Sequence, residues 1–71
     1  MPITMRINGR DFEAELRPDL QVVIREQDGA AVNYTINDAF SALLPQAPEN
    51  LMRSTVDEAL RALLRKHADR P

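Results

Sequence analysis

Residues 3–16 read ITMRINGRDFEAEL, and this stretch decides the fold. Ile3, Met5 and Ile7 alternate with Thr4 and Arg6, the period of a strand with one apolar face. Phe12, Ala14 and Leu16 then alternate with Asp11, Glu13 and Glu15. Between them stands Asn8-Gly9, the pair that favours a type I′ turn because both central residues must take positive φ. A two-residue loop there sets Ile7 opposite Arg10, Met5 opposite Phe12 and Ile3 opposite Ala14. Every pair but the first is apolar, and the other face sets Arg6 against Asp11 and Thr4 against Glu13. Opposite charges across the ladder favour the same register.

Working outward, Arg17-Pro18-Asp19 is a turn, since Pro presets φ and removes a donor. Leu20, Val22 and Ile24 begin a third strand, with Gln21, Val23 and Arg25 on its other side. Gln27-Asp28-Gly29 marks the next reversal. A three-residue loop with Gly29 in the left-handed region pairs Ile24 with Val32, Val22 with Tyr34 and Leu20 with Ile36. A two-residue loop would mix apolar with polar partners, so the longer loop is expected. The first 36 residues therefore predict a four-stranded antiparallel meander, apolar on one face.

Two helices follow. Asn37 is the expected N-cap of a short helix carrying Phe40, Leu43 and Leu44, stopped by Pro45. In TVDEALRALLRKH (residues 55–67), Val56, Leu60, Leu63 and His67 form one stripe, widened by Ala59 and Leu64. Thr55 and Glu58 form a capping box, acids stand in the first turn and bases in the last, and Asp57 with Arg61 makes an i,i+4 pair. An alternative start after Pro48 would give a longer helix, about 49–67, with Met52 extending the stripe. The fold class is α+β, with both helices packed on one face of the meander as a single domain over residues 1–71. The expected core is Ile3, Met5, Ile7, Phe12, Leu16, Leu20, Val22, Ile24, Val32, Tyr34, Ile36, Phe40, Leu43, Leu44, Val56, Leu60 and Leu63.

A 71-residue chain has a small core, and there is no cysteine to staple it. With His67 as the single histidine, no metal set is expected. No cofactor is expected either, because Gly9 and Gly29 both serve turns and no phosphate loop exists. No apolar run reaches membrane-span length, and a cysteine-free chain fits a reducing compartment, so a cytoplasmic protein is expected. The net charge of −2, with eight Arg and one Lys, argues against a general polyanion binder. Ser41 and Ser54 sit in no nucleophile motif. Asp11, Glu13 and Glu15 line one wet strand face, where carboxylates are ordinarily solvated acids. Arg61, Arg65 and Lys66 form a small basic helix face, solvated on the simplest reading.

These exclusions point to a non-enzymatic protein-interaction module, an adaptor, inhibitor or regulatory subunit. Its partner would be itself, as a homodimer, or a larger protein. Val23 on the wet face, Leu51 and Leu64 at the margin of the core stripe, and Met52 beside them are spare apolar surface and the expected contact surface.

MRINGRDFEAELRPD (residues 5–19) resembles the opening hairpin of the iron–sulfur subunits of molybdenum hydroxylases. Those proteins carry cysteines downstream and this chain has none, so the likeness implies no cluster. RSTVDEALRALLRK (residues 53–66), preceded by a strand and a helix, is similar to the second helix of ribbon-helix-helix regulators and antitoxins. That resemblance implies a dimer with a strand in the DNA major groove. Asn33 and Thr35 would read bases, and Arg53 and Ser54 would contact phosphate. Pro45 and Pro48 depart from that family's pattern, in which the first helix is continuous.

Overall fold

The computed structural model describes residues 2–44 and 55–69. In chain order the elements are β1 (Ile3–Ile7), β2 (Arg10–Leu16), β3 (Gln21–Glu26), β4 (Val32–Thr35), α1 (Ile36–Leu43) and α2 (Val56–Ala68). The strands form one antiparallel sheet in the order β1-β2-β3-β4, and the fold is α+β.

The opening hairpin has the register its sequence dictates: Ile7 faces Arg10, Met5 faces Phe12 and Ile3 faces Ala14. Asn8 and Gly9 take φ of 53° and 77°, the two positive values a type I′ turn requires. The β3–β4 register is also as expected, with Val22 opposite Tyr34 and Ile24 opposite Val32. The turn between them is built differently. Among the described glycines Gly9 alone has positive φ, so Gly29 is not left-handed. Instead the Gly29 N–H donates to the Glu26 carbonyl at 3.0 Å, closing a turn in which Gln27 and Asp28 carry the reversal.

The left-handed residue sits elsewhere. Leu20 has φ 67° in the β2–β3 connection and is 57 % exposed, where the sequence placed it in a core strand. The Leu20 N–H donates to the Arg17 carbonyl (2.9 Å) and the Arg17 N–H to the Gln21 carbonyl (2.8 Å). Reversal over Pro18-Asp19 consumes Leu20, and β3 begins one residue later. The expected Leu20–Ile36 partnership persists only as a backbone bond, Ile36 N–H to Leu20 carbonyl at 3.1 Å.

Ile36 is not a strand residue but the first residue of α1. Thr35, not Asn37, is the N-cap. Its hydroxyl accepts from the Asp38 N–H (3.2 Å), and the Asp38 carboxylate accepts from the Thr35 N–H (2.8 Å). This reciprocal pair satisfies two donors that would otherwise be orphaned at the helix start. At α2, Thr55 is extended (φ −86°, ψ 163°) and its hydroxyl accepts from the Glu58 N–H at 3.2 Å. A helix running through from residue 49 is thereby excluded, since Thr55 interrupts it. The Asp57–Arg61 pair forms at 2.8 Å.

Both helices lie on the sheet face that carries Phe12, Ala14, Val22 and Ile24, all at most 2 % exposed. Each large apolar side chain so covered contributes roughly 1.5–3 kcal/mol. Four expected core residues are exposed instead: Leu20, Val32, Leu44 and Val56. Leu20 and Leu44 fall just outside β3 and α1, and Val32 and Val56 are the first residues of β4 and α2. The interior takes in residues beyond the expected core, namely Leu64 and Ala59, which widen the α2 stripe, and the alanines at 14, 39, 42, 62 and 68. Alanine lets a helix approach its neighbour closely, and both helices bury it, at 39 and 42 in α1 and at 59, 62 and 68 in α2. Among the described residues no helix is long and apolar enough to cross a membrane.

Candidate functional site

Because both helices occupy one face, the other face of the sheet is bare among the described residues. The ladder arranges its side chains in rows. Arg6 stands beside Asp11; Thr4, Glu13 and Arg25 form a second row; Glu15, Val23 and Asn33 form a third. β2 thus supplies a column of acids flanked by Arg6 on one side and Arg25 on the other. The Arg6–Asp11 contact is 3.5 Å between side chains 70 % and 50 % exposed. A pair so open to water contributes less than about 1 kcal/mol to folding. Its charges remain available to a partner. Thr4, Arg6, Asp11, Glu13, Arg25 and Gln27 line an open depression of about 590 Å³.

Val23 lies on this face but is only 9 % exposed. Its neighbours on this face are Glu15 and Asn33 across the ladder and Gln21 and Arg25 along the strand. Leu64, expected on a contact surface, is 0 % exposed and belongs to the core, so it is corrected here. It extends the inward stripe of α2, next to Leu60 and Leu63. Leu51, Met52, Arg53 and Ser54 lie outside the described residues. Of the residues suggested by the ribbon-helix-helix likeness, Asn33 is exposed on the bare face, while the side chain and N–H of Thr35 both serve the α1 cap.

A second polar cluster occupies the hairpin end of the covered face. The Arg10 guanidinium makes a two-pronged contact with the Glu26 carboxylate at 2.7 and 2.6 Å and lies 5.0 Å over the Phe12 ring. The hydrogen bonds from Arg10 hold the Glu26 carboxyl below its ordinary range, with smaller help from the charges of Arg10 and His67 against desolvation. The same bond raises the Arg10 guanidinium further.

His67, expected as a simple helix-end residue, is packed edge-on against Phe12 and Tyr34 with ring centroids 6.0 and 5.7 Å away. Its Nδ1 is 2.7 Å from the Tyr34 hydroxyl. Tyr34, Asp38, Ser41, Leu63, Lys66 and His67 line a cleft of about 280 Å³. The contacts there tie β4 to α2 and Asp38 to the α1 cap, which is how the cluster fixes the helices on the sheet.

Arg10, Glu26 and Tyr34 were not singled out as site residues from the sequence. Strand parity carries the signal, because Arg10 shares the parity of Phe12 and Glu26 that of Ile24, which places both on the covered face. Among the described residues no group of three or more His, Asp or Glu side chains is placed to hold a metal ion. Comparison with protein-family models, with curated proteins and with solved structures gives no match for this chain.

Proposed function

We propose that this chain is a small, non-enzymatic protein-interaction module whose recognition surface is the bare face of its sheet. The supporting observation is the one-sided cover: the face opposite the helices displays acids on β2 between arginines on β1 and β3, around the 590 Å³ depression. A flat array of alternating charge suits a protein surface of complementary pattern, for which it supplies specificity and encounter rate. The cysteine-free composition fits a reducing compartment, and residence in the cytoplasm is part of the proposal.

The test exploits the ladder. Exchanging Glu13 and Arg25 (Glu13→Arg with Arg25→Glu) keeps the pair facing each other within the sheet but inverts the charges displayed. Proteins retained by the immobilised wild-type chain should be lost by the exchanged variant, whose thermal melt stays at the wild-type position. Undiminished retention would remove the bare face from the proposal. Binding to duplex DNA that weakens steeply with salt would replace it with the regulator reading.

A further inference from the structure

We propose that two copies of this chain pair through β1, edge to edge and antiparallel, in one register centred on Met5. The proposal deepens the interaction-module reading by naming a second copy as partner, on a surface other than the bare face.

The sheet has two edges, β1 and β4. An edge strand presents a row of N–H and C=O groups and invites a further strand unless something blunts it. β4 is blunted. It has four residues, the N–H of Thr35 is taken by the Asp38 carboxylate at 2.8 Å, and the chain turns into α1 at Ile36. β1 has five residues, and among the described residues it pairs only with β2.

Which groups β1 offers follows from the ladder. The Asp11 carbonyl accepts from Gln27 N–H, so it points towards β3. In an antiparallel strand the N–H and C=O of one residue point to the same side, and the side alternates along the chain. Asp11 therefore makes no ladder bonds to its partner Arg6. The N–H and C=O of Arg6, and of Thr4 two residues earlier, point out from the open edge.

These two residues fix the register. Thr4 of one copy opposite Arg6 of the other makes two backbone hydrogen bonds, and the symmetry makes two more. Met5 then meets Met5 at the centre, and Ile3 meets Ile7. The strand reads apolar-polar-apolar-polar-apolar in both directions, so every residue on the covered face meets an apolar partner. Arg6 meets Thr4 and not another Arg6. Thr4 is short, and beyond it in the same row lies Glu13, so Arg6 of the second copy extends towards an opposite charge. On the covered side, Ile3, Met5 and Ile7 are only half-buried. A depression of about 510 Å³ lined in part by Ile3, Leu16, Val56 and Leu60 opens beside them, where Ile7 of the second copy arrives. An extended segment of another protein lacks this reciprocity, which is why a second copy is the occupant.

The chain has no native cysteine, so single cysteines report the register directly. Met5→Cys sets two thiols at a non-hydrogen-bonded pair, about 4.5 Å apart at Cα, within disulfide range. Under mild oxidation it should cross-link to a dimer. Thr4→Cys should not, because the two Thr4 positions are out of step by two residues. By light scattering the wild type should rise with concentration from the mass of one chain towards that of two. Thr4→Pro removes an outward N–H without touching the β1–β2 bonds and should remain a monomer with the wild-type circular dichroism. A wild type that stays monomeric at the highest concentrations, or Met5→Cys linking no faster than Thr4→Cys, overturns the proposal. Either result leaves the Glu13/Arg25 exchange test standing, so the two readings fail separately.

Discussion

The two faces of the sheet bury valine-type residues by different means, and β3 shows both. Ile24 is 0 % exposed beneath the helices, whereas Val23, its neighbour in sequence, is 9 % exposed on the face that neither helix covers. Ile24 is covered by another element. Val23 has polar side chains beside it in its own plane, Glu15 and Asn33 across the ladder. The first kind of burial excludes water and contributes to folding. The second leaves water and a partner within reach, so a strand buried on both faces does not need a layer on both faces.

Substitution at these neighbours gives the largest expected contrast. Ile24→Asp places a carboxylate among apolar side chains with no counter-charge, at a cost of several kcal/mol, comparable to the whole stability of a domain this size. Its cooperative thermal transition should disappear. Val23→Thr should cost under about 1 kcal/mol, a fall of a few degrees in melting temperature, because the hydroxyl can reach water at the surface. Equal losses at both positions would break the distinction between the two faces.

A smaller effect sharpens where the covered face ends. Leu20 shares the parity of Val22 and Ile24, yet it holds φ 67° and is 57 % exposed. A residue with a Cβ is strained there by roughly 1 kcal/mol, and glycine is not. Leu20→Gly should therefore stabilise the fold, by about 0.5 kcal/mol after the loss of partial side-chain cover. Destabilisation by the same substitution would show that the Leu20 side chain belongs to the core after all. Gly9→Ala is the reciprocal case, since Gly9 takes φ 77° with nothing crowding its missing Cβ, and it should cost about 1 kcal/mol.

These cases also show what the sequence made legible. Alternation plus Asn8-Gly9 was enough for the hairpin and its register, because turn type and apolar face agree on one answer. The same logic placed Val22 opposite Tyr34 and Ile24 opposite Val32. It failed where a turn consumes a residue of the right parity, as at Leu20, and where a cap competes with a strand, as at Thr35 and Ile36. Buried alanines escaped it because a small residue reads as neutral until two helices are known to approach there. Leu64 sits at the margin of the α2 stripe, and only the packing of α2 against both α1 and the sheet shows that margin to be buried. The wet face and the placing of both helices on the opposite, apolar side are legible too, because the meander has one apolar face for their stripes to cover. The ion pair of Arg10 with Glu26 needed the β2–β3 register, which sets Phe12 opposite Glu26, and no turn signal in Arg17-Pro18-Asp19 supplies that register.

The two faces each carry an ion pair, and the comparison extends to pH. Arg10 and Glu26 meet through two short bonds beside the Phe12 ring, while Arg6 and Asp11 touch once at 3.5 Å in open water. The Glu26 carboxyl is held below its ordinary range chiefly by the Arg10 hydrogen bonds. A carboxyl whose folded-state value is depressed binds its proton more readily when unfolded, so its contribution is present above the unfolded-state value. That contribution fades as pH falls through the folded-state value. Melting temperatures of the wild type and Glu26→Gln should therefore differ at neutral pH, with the wild type higher, and converge in acid. Added salt should narrow the neutral-pH gap, since both side chains are partly exposed. Asp11→Asn should move the neutral-pH melting temperature less, having one longer contact to lose. A gap for Glu26→Gln that persists unchanged into acid would mean that the carboxylate acts there through shape and packing, and that charge adds nothing to the covered face.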